Sequence, residues 1–119
     1  KQWLRVGSKP LWKFVADRLN SFYNFKETII TSNSEDKKIY SLLSDYTIVE
    51  GGETRQQSLK KALAKIDTKY VLVTDVARAC VPKQLLLELV DNIKGFDCVV
   101  PYLKPVDTVV YQTYTINRD

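Results

Sequence analysis

The chain has no histidine and no methionine in 119 residues, and only two cysteines, four glycines and four prolines. Without histidine, His-based catalytic triads and His-rich zinc sites are excluded. Two cysteines, Cys80 and Cys98, cannot make a disulfide scaffold. Cys98 lies in a strand-like run and is expected to be a small buried hydrophobe. This usage fits a reducing, cytoplasmic setting. Apolar runs are only a handful of residues long, so no segment can span a bilayer. The opening Lys1-Gln2-Trp3-Leu4-Arg5 lacks the apolar stretch of a secretory signal.

What remains is an ordinary globular composition, 45% hydrophobic and 27% charged, which argues against disorder, collagen and coiled coil. The length suits one domain over residues 1–119 with a real core. A net charge of +4 favours anionic ligands. The basic residues are spread out, and Lys37-Lys38 and Lys60-Lys61 read as solvated helix faces. Neither a nucleic acid nor a membrane is expected as a partner.

Periodicity gives alternating helices and strands. Pro10 suits a first helical position, and Leu11, Val15, Leu19 and Phe22 follow at helical spacing, so a helix is expected over about 10–23, with no strand before it. Residues 27–31 read as a strand. Ser34-Glu35-Asp36 should cap a helix carrying Ile39, Leu42 and Leu43. Residues 46–50 form the next strand, closed by Gly51-Gly52. A helix starting near Thr54 carries Leu59, Ala62, Leu63 and Ile66. Residues 70–74 are nearly all apolar, as in a strand buried on both faces. Pro82 opens a helix through Leu85, Leu86, Leu89 and Ile93, with Gly95 as its C-terminal cap. Strands are expected again over 97–101 and 108–113. Trp3 and Trp12 read as packing residues. The alternation implies an α/β fold with parallel strands and right-handed crossovers.

Three polar islands stand where these strands end: Gly51-Gly52-Glu53-Thr54-Arg55-Gln56-Gln57-Ser58, Asp75-Val76-Ala77-Arg78, and Asp107-Thr108. In open α/β sheets ligands bind beyond the carboxyl ends of the strands, so the islands are candidates for one site. Gly51-Gly52 permits a close backbone approach to a ligand, and the helix after it offers free N–H groups to an anion. Glu53, Arg55 and Ser58 add an acceptor, a donor fork and a hydroxyl. The plainer alternative is a strand-to-helix turn with a first-turn acid. Asp75 could hold Mg²⁺ beside substrate phosphates, with Arg78 on a phosphate. The plainer alternative is that Asp75 caps its own turn and pairs with Arg78. Asp107-Thr108 alone is a routine strand start.

Taken in order, the islands resemble the methylerythritol-phosphate cytidylyltransferases. That family carries a Gly-Gly-Asp-x-Arg-x-x-Ser block before a Leu- and Ala-rich helix, matched by residues 51–63. Its His-Asp-Ala-Ala-Arg-Pro block ending an apolar strand is matched by Thr74-Asp75-Val76-Ala77-Arg78-Ala79, and its Asp-Thr pair by Asp107-Thr108. Its Pro-Lys-Gln-Tyr-Leu is matched by Lys1-Gln2-Trp3-Leu4. The departures include Glu53 for Asp, Thr74 for His, Ala79 for Pro and Val110 for Lys. The substitutions are similar to those of forms fused to a cyclodiphosphate synthase.

The resemblance implies a Rossmann-like three-layer α/β/α nucleotidyltransferase fold with a mostly parallel sheet. It places the fold's first strand and glycine-rich loop before Lys1 and a further phosphate-binding lysine after Asp119. It implies transfer of CMP from CTP to a polyol phosphate, methylerythritol phosphate or alternatively ribitol phosphate. A non-catalytic nucleotide-binding module is the alternative on the same scaffold. The resemblance gives Lys1 the α-phosphate of CTP, and it gives Gly52, Glu53 and Ser58 the cytosine, with Arg55 supporting the turn. Asp75 falls at the junction of Mg²⁺ and substrate. Arg78 and Thr108 go to the polyol phosphate, and Arg118 to the same phosphate across a homodimer interface.

Overall fold

The structure is a computed structural model and describes residues 2–103, 109–111 and 114–116, the last two stretches by their backbone alone. Its contacts divide the chain into two units, Lys1–Leu87 and Glu88–Asp119.

The first unit opens on a short hairpin, not directly on a helix. Strands β1 (Arg5–Val6) and β2 (Lys9–Pro10) pair antiparallel, with Gly7 in the turn at φ 60°. Two-residue strands show no alternation, which is why the sequence pattern hid them. Helix α1 (Leu11–Phe22) follows at once, with Pro10 as its N-cap. Its first amides would be orphans. Leu11 N–H instead donates to Leu4 O (2.6 Å) and Trp12 N–H to Gln2 O (3.3 Å), so the segment ahead of the hairpin caps the helix. α1 buries Trp12, Val15, Ala16 and Leu19, a stripe at i, i+3, i+4 and i+7.

A βαβ unit comes next. Strands β3 (Ile29–Ser32) and β4 (Thr47–Glu50) pair in parallel, in register from Ile29↔Thr47 to Ser32↔Glu50. Helix α2 (Lys37–Leu43) is the crossover. Its start differs from expectation: Asn33 Oδ1, not Ser34, accepts a hydrogen bond from Asp36 N–H at 2.9 Å. Its buried face differs too. Tyr40 is 3% exposed, whereas Ile39, Leu42 and Leu43 face outward. Tyr40 stacks on Trp12 with ring centroids 4.3 Å apart, and Trp3 meets both rings edge-on. One large aromatic at the middle of a seven-residue helix sets its rotation against the smaller aliphatics. Trp3 and Trp12 are thus packing residues, and Trp3 Nε1 also donates to Asp36 (3.2 Å).

Asp17 ties this unit together. It accepts hydrogen bonds from Lys9 (2.6 Å), Lys13 (2.9 Å) and the Tyr46 hydroxyl (2.8 Å), joining β2, α1 and the residue before β4. Burial alone would raise the Asp17 pKa. The hydrogen bonds from Lys9, Lys13 and Tyr46 and the charge of Lys13 outweigh it and hold the carboxyl below its ordinary value. Burial first, then the bond to and charge of Asp17, push Tyr46 up to about 12. A depressed carboxyl stabilises the fold above its unfolded pKa, and the benefit is lost as pH falls through the folded value. Asp17→Asn should therefore lower the melting temperature at neutral pH and approach the wild type in acid, as the pH falls below the ordinary carboxylate range. Equal offsets at both pH values would contradict the hub. The raised Tyr46 has the opposite sign, stabilising below the ordinary phenol value and fading as pH climbs toward 12.

Helix α3 (Arg55–Leu63) follows β4, and α4 (Lys83–Asn92) follows the second polar island. Residues 70–74 do not form the expected strand: no described residue pairs with them, and Tyr70, Val71, Leu72 and Val73 are exposed. An apolar run suits a central strand, but a strand exists only through a ladder partner. Residues 97–101 are likewise unpaired, and Cys98 is exposed rather than buried.

In the second unit Gly95 turns the chain beyond α4 at φ 88°. Of the strand expected over 108–113, Val109–Tyr111 forms β5, which pairs antiparallel with β6 (Tyr114–Ile116), while 108, 112 and 113 lie outside the described residues.

Candidate functional site

The carboxyl ends of β3 and β4 carry the first island. Gly51 N–H donates to Ser32 O at 2.8 Å, extending the parallel ladder one step past Glu50. Thr54 is then the N-cap of α3 in a complete capping box. Its hydroxyl accepts from Gln57 N–H (3.2 Å), while Gln57 Oε1 accepts from Thr54 N–H (3.4 Å) and Glu53 N–H (2.9 Å). Ser58 Oγ accepts from Gly52 N–H (3.0 Å) and donates to Thr54 O (3.0 Å).

The two glycines are required by crowding, since neither has a positive φ. A Cβ on Gly52 would lie within 3.0 Å of Gln57 Cβ, a separation real Cβ atoms essentially never show. A Cβ on Gly51 would meet Ser58 Oγ at 2.8 Å. The close neighbour is the first turn of α3 itself. Glu53 precedes the cap, so it is not a first-turn acid of the helix, and its side chain is exposed.

The second island meets the first. Asp75 Oδ2 lies 3.3 Å from Arg55 Nη1, twenty residues away in sequence. Asp75 Oδ1 accepts from Ala77 N–H (2.9 Å), and Arg78 N–H donates to Asp75 O (2.9 Å), so Asp75 closes its own turn as the plainer reading expected. It also forms an ion pair with Arg55, which the plainer reading did not expect. The Arg55 and Asp75 side chains are 77% and 41% exposed, and such a pair holds geometry more than stability.

The structure thus brings Gly52, Glu53, Arg55, Ser58 and Asp75 together, and it sets Arg78 on the Asp75 turn with an exposed side chain. Lys1, Thr108 and Arg118 lie outside the described residues. Among the described residues no group of three or more His, Cys, Asp or Glu could hold a metal unaided.

Three residues of the site were given no role from the sequence. Ser32, at the end of β3 beside Gly51, has a buried hydroxyl with no hydrogen-bond partner among the described residues. Its place at a strand end was the only signal. Gln57 was legible in the Thr54-x-x-Gln57 capping pattern. Lys61, expected on a solvated face, donates to Gly51 O at 2.7 Å, and no local pattern marks a contact ten residues back.

A family model described as IspD, 2-C-methyl-D-erythritol 4-phosphate cytidylyltransferase, matches residues 1–115. The bifunctional enzyme IspD/IspF of Sulfurimonas denitrificans is 51% identical over 119 residues, covering 100% of this chain and 31% of that protein. Its counterpart in Nitratiruptor sp. is 43% identical, covering 100% of this chain and 32% of its own length. The chain therefore spans about a third of the relatives it matches. The structure of the bifunctional IspDF from Campylobacter jejuni matches with TM-score 0.88 at 42% identity, over 99% of this chain and 32% of that one. The crystal structure of a 4-diphosphocytidyl-2C-methyl-D-erythritol synthase matches with TM-score 0.74 at 20% identity, over 99% of this chain and 63% of that one, and so shares the fold. The α/β nucleotidyltransferase fold expected from the islands is the one found. Because the match runs over residues 1–115 and so takes in all three polar islands, the chain belongs to the 2-C-methyl-D-erythritol 4-phosphate cytidylyltransferase family.

Proposed function

We propose that the intact protein transfers CMP from CTP to 2-C-methyl-D-erythritol 4-phosphate in isoprenoid precursor synthesis, and that, like its IspD/IspF relatives, it joins this to a second activity. The observation that carries the reading is the contact between Arg55 and Asp75. It brings the turn that would read the base to the carboxylate that would stand at the phosphates. In the reaction a substrate phosphate oxygen attacks the α-phosphorus in line. One P–O bond forms, the bond to the bridging oxygen breaks, and pyrophosphate leaves.

Such a transfer needs positioning and charge neutralisation, not a covalent nucleophile. Gly52, Glu53 and Ser58 would hold cytosine, with Arg55 keeping the turn against Asp75. Arg78 and Thr108 would bind the polyol phosphate. Lys1 would neutralise the α-phosphate as charge grows there. The donor chemistry around Asp75 fits Mg²⁺: a hard, half-exposed carboxylate whose contact with Arg55 is long, in a site where one protein oxygen suffices because phosphates fill the other positions. Bound there, the ion would supply charge neutralisation on the triphosphate. Arg118 would serve a neighbouring subunit's substrate in a homodimer, an assignment supported by the family resemblance. No helix of the described residues is long and apolar enough to cross a membrane.

The test is pyrophosphate release by the intact protein. Release is expected only with CTP, methylerythritol phosphate and Mg²⁺ together, and faster than with ribitol phosphate in place of the methyl-branched polyol. CTP binding without release would leave a nucleotide-binding module and sink the enzymatic reading. Faster release with ribitol phosphate would reassign the substrate.

A further inference from the structure

We infer that Lys61 and Gln57, neither of them part of the Gly-Gly-x-x-Arg-x-x-Ser pattern, are positioning residues that hold the Gly51–Thr54 turn in its ligand-reading shape. The inference rests on the CTP reading above. The four N–H groups of the turn and the Gly51 carbonyl are each held by a side chain from α3 or by the β3 end. Gly51 N–H is held by Ser32 O and Gly51 O by Lys61 Nζ, at 2.8 and 2.7 Å. Gly52 N–H is held by Ser58 Oγ at 3.0 Å, and Glu53 and Thr54 N–H by Gln57 Oε1 at 2.9 and 3.4 Å.

Side chains on a helix lean toward its N-terminus. Lys61, near the end of α3, can therefore reach back along the helix to a carbonyl that precedes it. The ammonium makes this a charge-assisted bond, the stronger kind. Gln57 is the reciprocal half of the capping box and the atom wall against which Gly52 is packed. With the turn clamped on both sides, the Glu53 side chain and the Gly52 backbone meet a base without first paying ordering entropy. Loosening the clamp should weaken nucleotide binding and leave the polyol-phosphate subsite on Arg78 unaffected.

Steady-state kinetics of the intact protein with CTP and methylerythritol phosphate test this, beside thermal melting. Lys61→Met and Gln57→Leu are each expected to raise KM for CTP about three- to tenfold, the scale of one lost hydrogen bond, with KM for the polyol phosphate unchanged. Lys61→Arg and Gln57→Glu, which keep the donor and the acceptor, should restore most of the affinity. Lys60→Met removes the same charge one residue away and should leave KM for CTP at the wild-type value. A lower melting temperature with an unchanged KM for CTP would mean the clamp serves folding alone and would overturn the inference. So would equal rises in both KM values, or a Lys60→Met effect as large as that of Lys61→Met. If the wild type shows no CTP-dependent turnover, it is the functional reading that fails. A normal wild type with unaltered variants isolates the failure to the clamp.

Discussion

Asp75→Asn in the intact protein is expected to lower turnover roughly a hundredfold or more while leaving the melting temperature nearly unchanged. The two effects separate because Asp75 does two kinds of work. Its Oδ1 accepts from Ala77 N–H, and an asparagine oxygen can accept the same bond, so the turn survives. Its pairing with Arg55 is exposed and long at 3.3 Å, and pairs of that kind contribute about 0–1 kcal/mol. What asparagine could not replace is the full negative charge that the proposed Mg²⁺ site would need. Turnover within a few-fold of wild type would overturn the role proposed for Asp75, whatever the family.

Gly52→Ala should be the most damaging single methyl in the site. Its Cβ would collide with Gln57 Cβ, an atom anchored to the α3 backbone rather than the far end of a flexible chain. The first turn of α3 must shift, which breaks the capping box and moves Ser58. A loss of about 1–3 kcal/mol is expected, in line with other overpacked positions, together with a clear loss of CTP affinity. Gly51→Ala is the internal comparison. Its Cβ meets the Ser58 hydroxyl at 2.8 Å and the Ser32 carbonyl at 3.4 Å, and the hydroxyl can rotate away, so the loss should be smaller. Melting curves and CTP titrations of the two variants decide this. Equal damage at both positions would show that the crowding at Gln57 does not control the turn.

The sequence made the local elements of the first unit legible where a feature was local. The stripe through Val15 and Leu19, the parallel pair on either side of α2, and the start of α3 at the Thr54 cap all depend on residues within a few positions of one another. It misled where a distant partner decides. Nothing near Ile39 or Leu42 says that Trp12 will capture Tyr40 and turn the helix. The apolar run at 70–73 has the composition of a buried strand, yet burial requires a neighbouring strand that no described residue supplies. The short hairpin before α1 lies below the length at which alternation can be read.

The site divides the same way. Gly52, Glu53, Arg55 and Ser58 were visible as a block because a strand-to-helix turn writes its needs into consecutive residues. Asp75 was visible from its place after an apolar run. The link between the two, through Arg55, is a tertiary fact. So is the reach of Lys61 back to Gly51. The expected reasons for two adjacent glycines were a sharp turn and close approach to a ligand; the structure adds a steric one, the first turn of α3 packed against their α-carbons.

The central claim is that the glycine turn and Asp75 form one nucleotide site. A crystal structure of the intact protein with CTP and Mg²⁺ tests it most directly. The account predicts cytosine against Gly52, Glu53 and Ser58, with the Asp75 carboxylate among the ligands of the metal. A triphosphate bound with no metal contact at Asp75, or a base seated away from the Gly52 turn, would contradict it.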